Sequence, residues 1–71
     1  SLQFGPNPVL SKGNVSSSKT MNSNWELTDA QGRVLRKGLW MGKELEMDFQ
    51  GLAPGTYFVR TAGEVLKWVK E

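Results

Sequence analysis

Between Glu44 and Phe49 the chain alternates strictly: Leu45, Met47 and Phe49 fall on one side, and Glu44, Glu46 and Asp48 on the other. That period of two is the mark of a strand with one buried and one wet face. Gly51-Leu52-Ala53-Pro54-Gly55 follows. Pro54 presets φ for the second place of a turn, and Gly55 can take the positive φ of the third place of a type II turn. Leu52 is placed to plug the loop from below. Thr56-Tyr57-Phe58-Val59-Arg60 is β-branched and aromatic, so it reads as a second strand.

The same alternation spreads outward from this centre. Phe4-Gly5-Pro6-Asn7-Pro8-Val9 is a stiff, kinked lead-in, because proline is excluded from sheet and helix interiors and extends the residue before it. It leads to a short edge strand at Val9-Leu10; a plain interdomain linker is the alternative. Ser11-Lys12-Gly13-Asn14 is turn chemistry. Val15 to Met21 is a polar edge strand with Val15 and Met21 facing in, and Asn22-Ser23-Asn24 is another turn. Trp25-Glu26-Leu27-Thr28 resumes the alternation. Asp29-Ala30-Gln31-Gly32 signals a hairpin closed by a type I turn and a bulge, returning along Arg33 to Lys37. Leu39 to Lys43 is an apolar loop, in which Trp40 caps the core or makes an exposed contact, capping being favoured. Thr61-Ala62-Gly63-Glu64 turns tightly into a last strand, Val65 to Glu71.

No stretch of useful length has helical spacing. The expected fold is all-β, a sandwich of about seven short, mainly antiparallel strands. Its inward set is Val9, Val15, Trp25, Leu27, Leu35 or Val34, Leu45, Met47, Phe49, Leu52, Tyr57, Val59, Leu66 and Trp68.

Composition narrows the function. The 71 residues make a single domain, which hides only ~60% of its unfolded surface and gains no more than ~3–5 kcal/mol from its core. There is no cysteine and no histidine. No disulfide or thiolate metal site is available, and no group titrates near neutrality without deep burial. The reading is a non-enzyme with no catalytic residue, no cofactor and no metal. The formal charge is +2, but the nine basic residues are dispersed among acids, so they read as solvated strand faces and not as a nucleic-acid surface. No apolar run approaches the ~20 residues of a membrane helix, and no basic-then-apolar start marks a signal peptide. Opening on Ser1-Leu2-Gln3 without an initiator Met, the chain reads as a piece of a longer protein.

Four motifs in order then carry a resemblance: Pro6-Asn7-Pro8, Asp29-Ala30-Gln31-Gly32-Arg33-Val34, Leu52-Ala53-Pro54-Gly55-Thr56-Tyr57-Phe58-Val59, and Lys67-Trp68-Val69-Lys70. Together they resemble the C-terminal sorting domain of proteins exported by the type IX secretion system of the Bacteroidetes, over Phe4 to Glu71. The resemblance implies an immunoglobulin-like, seven-stranded sandwich without catalysis, carried after a cargo domain, with residues 1–8 as the lead-in from it. Its partners would be the outer-membrane translocon, shuttle proteins and a surface sortase that cleaves it from some cargoes. It would pass through the periplasm to the cell surface or medium as a monomer. The family's signal features fall on Pro6, Asn7, Pro8, Gly32, Gly55, Tyr57, Lys67, Val69 and Lys70. Val15-Ser16-Ser17-Ser18 is less hydrophobic than the family's usual strand at that place.

On this reading the last strand lies at a sheet edge, where unpaired backbone plus Lys67 and Lys70 could receive an extended partner. The alternative is that these lysines are gatekeepers against edge aggregation. Two other functions compete. A carbohydrate-binding module needs an exposed aromatic platform, for which only Trp40 is left outside the inward pattern. A structural spacer in a surface protein needs no recognition surface.

Overall fold

The computed structural model describes residues 2–71. They form five strands: β1 (Leu2–Gly5), β2 (Lys12–Asp29), β3 (Val34–Asp48), β4 (Gly55–Thr61) and β5 (Glu64–Lys70). Every strand pairing is antiparallel, and no described residue is helical. The all-β class holds. Five strands in one sheet stand where about seven in two sheets are expected. The reason lies in β2 and β3, which run for 18 and 15 residues. Asn22-Ser23-Asn24 and Leu39-Trp40-Met41, expected as turn and loop, pair with one another inside this ladder. Backbone hydrogen bonds do not require apolar side chains, so a polar stretch continues a strand when a partner lies alongside.

The sheet folds over on itself. The first part of β2 is flanked by β1 and β3, and the last part by β3 and β4, with β5 beyond. Between the two parts the register breaks: Ser16 pairs Glu44 and Met21 pairs Gly42. Four residues of β2 therefore oppose Lys43 alone, and such a bulge bends and twists the ribbon. The concave side holds Val9, Val15, Leu27, Trp40, Met47, Phe49, Tyr57, Val59, Leu66 and Trp68, all buried. Leu2, Met21, Trp25, Leu45 and Leu52 pack against them. Trp40 is fully buried, so it caps the core.

One inward position differs. Val34 and Leu35 are both exposed, because a second register shift at Leu27/Thr28 places Arg36 opposite Leu27. The Arg36 guanidinium donates to the carbonyls of Asp48 and Gln50, each at 3.0 Å, and ties the end of β3 to the loop behind it.

The hairpin turns follow their residues. Gly32 N–H donates to Asp29 O at 3.0 Å with Gly32 at φ 87°, the bulged type I turn read from the sequence. Ala62 (φ 52°) and Gly63 (φ 76°) form the two-residue β4–β5 turn. The β3–β4 turn departs from expectation. Leu52 N–H donates to Phe49 O, and Gly51, at φ 84°, takes the third place. Gly55 stands at φ 155° as the first residue of β4.

Candidate functional site

The lead-in segment is part of the fold. β1 pairs with β2 from Leu2↔Ser17 to Gly5↔Asn14, and Phe4 packs against Trp68 with ring centroids 5.1 Å apart and planes tilted by 50°. The Gly5–Pro6 and Asn7–Pro8 peptides are both cis. The chain then crosses to the outer edge of β5. There the Asn7 side chain does the work of a strand residue. Its Nδ2 donates to Lys67 O at 3.0 Å, and its Oδ1 accepts from Val69 N–H at 2.9 Å. Val9 continues the seam: Val9 N–H donates to Val69 O at 2.7 Å, and Glu71 N–H donates to Val9 O at 2.9 Å.

This corrects the expectation of an open terminal edge. From Lys67 O to Glu71 N–H the outer edge of β5 is already paired, by one amide side chain and one residue in parallel alignment. Prolines on either side leave Asn7 with no continuing strand of its own, so its amide supplies the donor and acceptor that the edge needs.

Most of the sequence-selected residues meet here. Lys70 pairs Gly55 across β4 and bridges Val9. Val69 and Lys67 lie along the Asn7 seam, with exposed side chains. Tyr57 sits between Asp29 on β2 and Trp68 on β5. It is buried, and its hydroxyl donates to Ala53 O at 2.5 Å, clamping the loop ahead of β4 as a tyrosine corner does. Gly32 stands apart at the tip of the β2–β3 hairpin. That hairpin reaches the same end of the sheet through Asp29, which accepts from the backbones of Gln31 and Arg33 and from Arg33 Nε at 2.7 Å. The Arg33 backbone N–H, and then its guanidinium, hold the Asp29 carboxyl below the usual carboxylate range. An open cleft lined by Asp29, Arg33, Leu52, Pro54 and Tyr57 separates the two motifs.

Three features escaped the sequence reading. Gly13 is packed under Trp68, with a Cβ there falling 2.2 Å from the ring. Trp25, and not Trp40, is the half-exposed tryptophan, so Trp40 offers no platform for a sugar. The last strand is apolar on both faces, Leu66 and Trp68 inward, Val65 and Val69 outward. This third feature had a signal, since Val65-Leu66-Lys67-Trp68-Val69 is nearly continuous and not alternating.

Among the described residues no group of three or more acidic, histidine or cysteine side chains could hold a metal ion, and no helix is long and apolar enough to cross a membrane. The family model of the secretion system C-terminal sorting domain matches residues 4–71, and the chain belongs to that family. It is a type IX secretion sorting signal, a role that implies an attached cargo and export to the cell surface or medium. The family is one of secretion signals. No curated protein matches the chain.

Proposed function

We propose that this domain works as a folded, non-catalytic address, monomeric and carried behind its cargo. The translocon and shuttle proteins bind it after passage into the periplasm, and a surface sortase then separates it from the cargo. The seam between Pro6-Asn7-Pro8-Val9 and β5 is the observation that supports this reading most directly. It welds the point where a cargo would join to the terminal strand, so the address is formed only when the whole domain has folded. Pro6, Asn7 and Pro8 shape the seam, while Gly55 and Tyr57 shape the corner beside it. Gly32 sets the hairpin tip, and Lys67, Val69 and Lys70 supply the surface along β5.

The test is a reporter carrying residues 1–71 at its C-terminus, expressed in a type IX host and in a strain of that host lacking the translocon. Export is expected only in the first. Equal delivery in both strains ends the reading. Deleting Lys67 to Glu71 is a poor control, because it removes the fully buried Trp68 and with it the fold.

A further inference from the structure

The outer edge of β5 is occupied along the Asn7 seam, yet the strand presents a second surface. Leu66 and Trp68 are buried against the core, so Val65, Lys67 and Val69 project from the opposite face. Their cross-strand neighbours on β4 are Arg60, Phe58 and Thr56. Val65 is 59% exposed and Val69 38%, and Phe58 is half-buried between Lys67 on one side and Thr28 on the other. An antiparallel sheet ordinarily turns polar residues to water. Here Phe58, Val65 and Val69 lie side by side on one face with Arg60 and Lys67 set among them, and an apolar patch rimmed by polar groups is a candidate binding face.

Resting on the sorting-signal reading, we propose that this outer face of β4 and β5 is where the export machinery docks. The matching surface on the partner protein is apolar and ringed by carboxylates. The charges select this occupant. A second copy stacked face to face would bring Arg60 and Lys67 against their own kind. An anionic membrane is held by clusters of roughly four to eight basic residues, and this face has three, Lys37, Arg60 and Lys67, with Glu26 set between the first two. An acidic protein surface meets these cations and covers the valines.

Three double variants of the exported fusion test it. Arg60→Glu with Lys67→Glu reverses the charge, and Val65→Thr with Val69→Thr removes apolar surface while keeping β-branching. Lys19→Glu with Lys43→Glu makes the same charge change elsewhere on exposed positions. Thermal melts of the purified 71-residue chains establish that each variant folds. The expected result is a fall in export of roughly tenfold or more for the charge reversal. The valine pair should show a smaller fall, and the Lys19/Lys43 pair none. Export unchanged in folded face variants overturns the inference and leaves the sorting role standing. No export of the unmodified fusion ends both. A dimer in sedimentation that the valine variant abolishes, or sedimentation with anionic vesicles that the charge reversal abolishes while export persists, reassigns the face and also overturns the proposal.

Discussion

Asn7 shows how much one short side chain can decide. Its amide carries one donor group and one acceptor, and β5 offers it one carbonyl and one N–H. Aspartate keeps the acceptor and puts a second oxygen against Lys67 O. Asn7→Asp is therefore expected to destabilise the chain by ~1–3 kcal/mol, read as a lower urea midpoint with an unchanged slope. Asp29 governs the other end of the site. Its folded pKa lies below the ordinary carboxylate value because Arg33 binds the charged form. The stability it contributes is present above about pH 4, the unfolded value, and is lost as the pH falls through the lower folded value. Urea midpoints should drop on acidification below that point. Asp29→Asn should be less stable near neutrality and respond less to acid.

At the level of elements, β5 is the keystone because it serves both halves of the sheet. It is paired to β4 along its length, while Trp68 reaches across to Gly13 on β2, to Phe4 on β1 and to Phe49. A methyl group on Gly13 would overlap the indole, so Gly13→Ala must push the ring or the strand aside and is expected to cost ~1–3 kcal/mol. Phe49 lies between Tyr57 and Trp68 and is fully buried. Phe49→Ala, at ~3–5 kcal/mol, removes the whole margin that a domain of this size has, and the variant should be unfolded at physiological temperature by circular dichroism. A cooperative transition well above it would refute that estimate. β3, by contrast, pairs only with β2 among the described residues. Gly42, at φ 107°, and the charges Lys37, Lys43, Glu44 and Glu46 interrupt its free edge, and such devices discourage edge-to-edge aggregation.

For the whole molecule, a single folded-over sheet has a consequence that two separate sheets lack. Its halves share β2, β3 and one core, so neither half can melt and leave the other standing. Tryptophan fluorescence and far-ultraviolet circular dichroism should give coincident unfolding curves, as two-state behaviour requires. Separated curves would show independent halves. The same continuity means that the surface carried by β4 and β5 exists only in the folded state.

Local chemistry was legible in the residues themselves. The alternation from Leu45 to Phe49, the Asp29 to Gly32 hairpin and the Thr61 to Glu64 turn depend on neighbours a few positions apart. Leu27, Met47 and Phe49 of the buried set follow from such alternation. The four ordered motifs likewise carried the family. What the sequence left open depends on partners far along the chain. Asn7 meets Lys67 and Val69 across 60 and 62 positions, Trp68 closes on Gly13, and polar residues of β2 become strand only because β3 lies beside them. Only the tertiary structure could close the edge of β5 and leave its outer face exposed, since backbone hydrogen bonds are filled by whatever group the fold brings near.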